Sequence, residues 1–149
     1  MKIGFTGTRH GMTDIQKHEV RNLLTLYRPY PWPGVQLEAH HGRCVGADEE
    51  FNNIARTLMY DTIGWPANNV DEKNKSHCLC TTLHEAAPAL IRNHYIVDAC
   101  KQMIACPYEY EERWRGSGTW AAIRYAKKVK KPLCIIYPDG SIDRLNNSM

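Results

Sequence analysis

Three glycine-bearing loops, each following a strand-like run, constrain this chain more than any other feature. Lys2-Ile-Gly-Phe-Thr6 leads into Gly7-Thr8-Arg9. A second run ending in Glu38-Ala-His-His41 leads into Gly42-Arg43-Cys44-Val45-Gly46-Ala47-Asp48. A third, Gln102 to Cys106, passes through a charged loop into Arg115-Gly116-Ser117-Gly118-Thr119, and Trp120 to Ala126 then reads as a helix. In an open parallel sheet all three loops emerge at the carboxyl ends of strands, the edge at which ligands bind. The third loop has the makings of an anion site. The first N–H groups of a helix lack intrahelical partners and sit at the positive end of its dipole. Gly116 and Gly118 let backbone approach a phosphate, Thr119 adds a hydroxyl and Arg115 a guanidinium fork.

Between the loops, strands and helices alternate. Residues 2–6 form a first strand. Thr13-Asp-Ile-Gln16 is a capping-box pattern that opens a helix with Ile15, Val20, Leu23, Leu24 and Tyr27 on one face. Prolines in Arg28-Pro-Tyr-Pro-Trp-Pro-Gly34 end it. Val35 to His41 is the second strand, Ala47 to Tyr60 the second helix, and Thr62 to Trp65 a weak third strand. Residues 66–85 read as one long polar loop of the lid or binding type. Ala89 to Cys100 is a third helix with Leu90, Ile91, Ile96, Val97 and Cys100 apolar; Met103 to Cys106 is the fourth strand. A helix over 118–129 and a strand from Leu133 to Tyr137 follow, with a short return strand starting at Ile142. Such alternation implies right-handed crossovers. The expectation is a single α/β domain over 1–149, a Rossmann-like three-layer fold with a five-stranded parallel sheet of order 3-2-1-4-5 flanked by helices.

Composition removes several function classes. Nineteen Lys and Arg against sixteen Asp and Glu give +3, too little for the basic stripe of a duplex-DNA binder. No apolar run approaches the roughly 20 residues of a membrane span. With no export signal, the six cysteines read as reduced thiols of a cytoplasmic protein. His40, His41 and Cys44, and again His77, Cys78, Cys80 and His84, invite a metal reading, but Cys78-x-Cys80 is too tight for the usual paired zinc ligands. Neither a metal nor a cofactor is expected.

The candidate ligand-binding residues are Gly7, Thr8, Arg9, Gly42, Gly46, Asp48, Arg92, Asn93, Arg115, Gly116, Ser117, Gly118 and Thr119. Arg9 suits a bidentate clamp. Arg92 opens a helix, where a cation needs a partner, either a ligand anion or a carboxylate. Asp48 is a helix-start acid, a ribose contact or a partner of Arg9. Glu109, Glu111 and Glu112 form an acidic loop beside the third glycine loop, so Asp48 and Glu111 are the candidate catalytic carboxylates. Trp114 and Trp65 are candidate stacking partners for a base, and Cys44 is a nucleophile only if its surroundings lower its pKa.

Taken together, these stretches resemble the SLOG superfamily, the Smf/DprA and LONELY GUY-like proteins. Gly7-Thr8-Arg9 resembles its first motif, and His41-Gly42 through Gly46-Ala47-Asp48 its second loop. Ala87 to Asn93 followed by Val97-Asp98-Ala99 is similar to the YspA-like branch. Gly116-Ser-Gly118-Thr119 resembles the phosphate loop, and Lys131-Pro132 leads the last strand as in that superfamily. The resemblance covers residues 2–137. It implies a Rossmann-like fold that binds a nucleotide or nucleotide-derived ligand, a nucleoside phosphate or an ADP-ribose-type molecule, as a sensor or sequestering protein. LONELY GUY-type members hydrolyse the N-glycosidic bond of nucleoside monophosphates, which is the alternative activity here. Ala122 stands where their catalytic Glu would be, so hydrolysis would need a relocated carboxylate. The resemblance also implies a homodimer or higher homo-oligomer, to which aromatic residues around Tyr30 and Trp32 would lend a surface. A nucleic-acid partner is not expected.

Overall fold

The computed structural model of the chain describes residues 1–28 and 36–148. Among these residues seven strands form: β1 (Lys2–Gly7), β2 (Glu38–His41), β3 (Asp61–Gly64), β4 (Thr82–Leu83), β5 (Gln102–Cys106), β6 (Leu133–Ile136) and β7 (Ile142–Leu145). The helices are α1 (Asp14–Tyr27), α2 (Ala47–Thr57), α3 (Ala89–Ala99) and α4 (Gly118–Lys128). One sheet takes all seven strands in the order β4-β3-β2-β1-β5-β6-β7, parallel except that β7 runs antiparallel to β6. The expected sheet of five strands in order 3-2-1-4-5 is therefore corrected. The count of five left out two edge strands, β4, which the sequence reading missed, and β7, the return strand it placed at Ile142. β4 has only two residues, Thr82 and Leu83, paired with Ile63 and Gly64, and is too short to show a period. β7 hydrogen-bonds back on β6 through a turn at residues 138–141.

The chain crosses one face of the sheet with α1 and α2 and the other with α3 and α4. Ile3 and Phe5 of β1 pack on the first face with Val20, Leu24 and Phe51, where the Phe5 and Phe51 rings stack at 4.3 Å. On the second face Met103 and Ile135 meet Ile96, Val97, Trp120 and Ile123. The switch of sides falls between β1 and β5, whose register pairs Gly7 with Cys106. Crevices in doubly wound sheets open at this point.

The Thr13–Gln16 capping box forms as the sequence predicts. Gln16 does more than cap. It is buried, and its Nε2 donates to the Pro107 and Ile136 carbonyls at 3.1 and 2.9 Å, tying the ends of β5 and β6 to α1. A buried amide persists only when its hydrogen bonds are made. The segment read as one loop over 66–85 holds a 3-10 turn, Glu72–Asn74, and β4. Residues 29–35, with the proline stretch, Tyr30, Trp32 and the start of the expected second strand, lie outside the described residues.

Candidate functional site

A cleft of about 550 Å³ opens at the carboxyl edge of β1 and β5. It gathers Gly7, Thr8, Arg9, Gly42, Asp48, Arg92, Asn93, Gly116, Ser117, Gly118 and Thr119 from four separate segments. Gly46, Arg115 and Glu111 do not line it.

The glycines differ in what they do. At Gly7 a Cβ would press on the Ala47 methyl and the Phe5 ring, at 2.6 and 2.8 Å, so this glycine lets α2 close on β1. At Gly42 a Cβ would meet Arg92 Nη1 at 2.5 Å. Gly46 has φ +82°, and its Cβ would collide with the Arg9 backbone. Thr8 stands between these loops: its carbonyl accepts the Gly11 and Ala47 N–H groups, and its Oγ1 accepts the His10 N–H. The N-terminus of α2 is thereby engaged by protein groups, with Asp48, Glu49 and Glu50 in its first turn.

The start of α4 is different. Ser117 caps it, its Oγ accepting the Trp120 N–H at 3.2 Å. Among the described residues, the Gly118 and Thr119 N–H groups have no protein acceptor. A Cβ on Gly118 would meet nothing nearer than Asn93 Nδ2 at 4.0 Å, so this glycine opens on free space in the cleft. Gly116 has φ +71°, the left-handed conformation that glycine adopts most easily.

The cations also separate into two kinds. Arg92 is only 5% exposed. Its Nη1 donates to the Gly42 and Trp65 carbonyls at 2.5 and 2.9 Å, and its Nε to Asn93 Oδ1 at 2.9 Å. Arg92 therefore braces the second loop against α3, and among the described residues its hydrogen-bond acceptors include backbone carbonyls and the Asn93 amide oxygen and no carboxylate. Arg9 is exposed, lines the cleft, and among the described residues makes no side-chain hydrogen bond or ion pair. Arg113, which sequence reasoning did not single out, lines the cleft in place of Arg115 and donates its Nε to the Arg115 carbonyl at 2.8 Å. A cation placed by such a loop contact leaves no periodic signal.

Aromatic groups stand at the rim. Trp114 is 71% exposed, with the Arg124 guanidinium 4.9 Å from its ring centre. Across from it in sequence, His10 and Tyr108 pack ring to ring at 4.5 Å. Trp65 is not part of the cleft; it stacks on His84 at 3.5 Å and donates its indole N–H to His40 Nδ1.

Two carboxylates face the cleft, Asp48 and Glu109. Burial pushes the Asp48 carboxyl above its ordinary value, with neighbouring Arg92 pulling the other way, and Asp48 Oδ2 accepts the Cys44 N–H at 3.1 Å. Glu109, not Glu111, is the acidic-loop residue at the site; it accepts the Trp120 indole N–H at 2.9 Å. Ala122 lines the cleft as a buried methyl group. Burial also pushes the Cys44 thiol up, which removes it as a nucleophile.

The two sets of residues that invite a metal reading from sequence do not come together as sets. His40 and His41 alternate across β2, and His40 is held by Glu38 and Trp65. His77 is exposed beside Glu72, and His84 lies on Trp65. Among the described residues, one close grouping does form, His41 with Cys78 and Cys80.

No family model and no curated protein matches the chain. Solved structures do. The molybdenum cofactor binding protein of the phototrophic bacterium Rippkaea orientalis superposes with a TM-score of 0.65 at 23% identity, over 91% of this chain and 76% of that one. TM1055, a structural-genomics target, superposes with a TM-score of 0.59 at 15% identity, over 89% and 71%. At these identities the likeness shows the fold: the chain is an α/β protein of the Rossmann-like kind, with a predominantly parallel sheet between helical layers.

Proposed function

We propose that the cleft binds the phosphate of a nucleotide or nucleotide-derived ligand, a nucleoside phosphate or an ADP-ribose-type molecule, and that the chain acts by sensing or sequestering it. The start of α4 carries this reading. Two helix N–H groups without protein acceptors, a glycine with open space before it and an exposed arginine share one cleft. Each favours an anion, and together they suit a phosphate. Trp114 and the His10–Tyr108 pair offer flat apolar surfaces for a base. The same SLOG-like reading carries a homodimer and a reducing, cytoplasmic setting.

Replacing Gly118 with Val tests the reading directly. The new side chain meets no protein atom within 4 Å of its Cβ except Asn93, so the fold should persist while the phosphate position fills. A ligand at about a hundred times its Kd stabilises a protein by about 2.7 kcal/mol. The parent should show such a melting shift with at least one of a panel of nucleoside phosphates, ADP-ribose and molybdenum cofactor, and the variant should show none. An equal shift in both would refute the reading.

One observation favours a second reading, hydrolysis of a nucleoside monophosphate. Asp48 is a cleft carboxyl whose proton is retained to higher pH than usual, as a general acid requires. Against it, no carboxylate occupies the Ala122 position. Free-base release from a monophosphate panel at about 1 s⁻¹ or faster, lost in Asp48→Asn, would replace the binding reading with this one.

A further inference from the structure

His41, Cys78 and Cys80 lie outside the cleft, with one ligating atom of each within 4.8 Å of the others. A soft metal ion is the first occupant such a trio suggests, and the hydrogen bonds oppose it. His41 Nδ1 accepts the Arg43 N–H at 3.0 Å, so the ring proton sits on Nε2, which donates to Asn52 Oδ1 at 2.8 Å. A metal on Nε2 needs that nitrogen bare and a proton on Nδ1 instead. Arg43 is held to this arrangement by a left-handed backbone, φ +55°. The histidine is therefore part of the scaffold, and the chemistry left is that of two thiols.

The turn carrying them is fixed on its carbonyls. Arg43 Nε and Nη2 donate to the Cys78 carbonyl at 3.3 and 3.1 Å, and Asn52 Nδ2 donates to the Leu79 carbonyl at 3.0 Å. A guanidinium thus lies beside Cys78, and Cys80 Sγ lies 3.8 Å from His41 Nε2. Cys78 is buried and Cys80 half-buried, so the pair meets solvent through Cys80. The Cys80 side chain beside it holds the Cys78 thiol below its ordinary value despite burial, and the same neighbour relation pushes Cys80 up. Burial, helped by nearby carboxylates, pushes up Cys100 and Cys106. Two sulfurs this close give up their first proton more easily than their second, the division that an attacking and a resolving thiol need.

We propose that Cys78 and Cys80 form a redox-active dithiol that a hydroperoxide closes to a disulfide. The Cys78 thiolate attacks the near oxygen of the peroxide, the O–O bond breaks, and the departing oxygen takes up the proton that Cys78 had released. With hydrogen peroxide it leaves as water. Cys80 sulfur then attacks the sulfenic acid on Cys78; the S–O bond breaks, and the hydroxide leaves as a second water with the Cys80 proton. Two electrons pass from the thiols to the peroxide. A disulfide between residues two apart closes a small ring whose geometry departs from the relaxed one, which places it among the readily reduced bridges.

The test uses the whole reduced chain and stoichiometric hydrogen peroxide, followed by unfolding, alkylation and peptide mapping. The expected product has lost two hydrogen atoms, carries an internal disulfide in the peptide holding Cys78 and Cys80, leaves the other four cysteines alkylated, and returns to the starting mass with a dithiol reductant. In Cys80→Ser, Cys78 should stop at the sulfenic acid and be trapped by a 1,3-diketone. Oxidation of other cysteines while both members of the pair remain alkylatable would overturn the proposal. So would undiminished peroxide consumption by a folded Cys78→Ser variant. Stoichiometric zinc retained by the reduced parent through gel filtration and lost in that variant would make the pair metal ligands instead.

Discussion

At the residue scale, two of the cleft arginines, Arg9 and Arg92, have separable jobs. Arg9 has an exposed guanidinium with no side-chain partner among the described residues, so Arg9→Ala should leave the melting temperature unchanged and weaken ligand binding. A hydrogen bond to a charged group contributes about 1.5–3 kcal/mol, which predicts roughly a 10- to 100-fold loss of affinity by titration. Arg92 should behave the opposite way. Arg92→Ala strands the Gly42 and Trp65 carbonyls in the interior, and melting should report a loss of about 2 kcal/mol or more. Asp48 adds a pH signature. Its folded-state carboxyl keeps the proton to higher pH than the unfolded chain, whose value is near 3.8. The folded state then binds more protons, so this group costs stability as pH rises from there through the folded value. Asp48→Asn should therefore melt progressively higher relative to the parent from pH 4 upward, as measured by paired melts; parallel curves would show that Asp48 is ionised at its ordinary pH.

At the scale of elements, the sequence marked both ends of α1 and α4 and the buried Ile96, Val97 and Cys100 of the α3 segment, but not the whole of its inward side. Its apolar pattern pointed to Leu90 and Ile91, yet both are exposed, and Arg92 and Asn93 take the buried positions. Hydrophobic periodicity cannot see a buried cation whose acceptors are carbonyls from distant loops. The turn into α2 depends on Gly46 in a similar way. Its left-handed backbone and its closeness to the Arg9 backbone leave no room for a side chain. Gly46→Ala should cost at least 1–3 kcal/mol in a denaturant midpoint measurement. Gly118→Ala, which opens on the cleft, should cost less than about 1 kcal/mol.

At the scale of the whole molecule, no helix among the described residues is long and apolar enough to cross a membrane. The proposed homodimer predicts a mass near twice 17.1 kDa by light scattering at micromolar concentration, and a single-chain mass would refute it. α3 exposes Leu90, Ile91 and Tyr95 together, so Leu90→Glu is the variant to compare. If α3 carries the contact, the charge should shift the mass toward the single chain while leaving the melting curve cooperative.

The sequence by itself determined the alternation of strands and helices, the class of the sheet and the edge on which its glycine loops gather. Those features follow from local rules: hydrophobic period, capping residues, and proline and glycine punctuation. Eleven of the thirteen residues it named for a ligand line one cleft, because strand-end loops of a parallel sheet converge wherever the crossovers place them. Only the tertiary structure decided what each residue does there. It turned Arg92 into a brace and left Arg9 open, exchanged Arg115 for Arg113 and Glu111 for Glu109, added β4 and β7 to the sheet, and brought Cys78 and Cys80 beside His41. Each of these outcomes rests on hydrogen bonds or contacts between segments far apart in the chain, and spacing along a sequence carries no record of which distant carbonyl, sulfur or ring will be the neighbour.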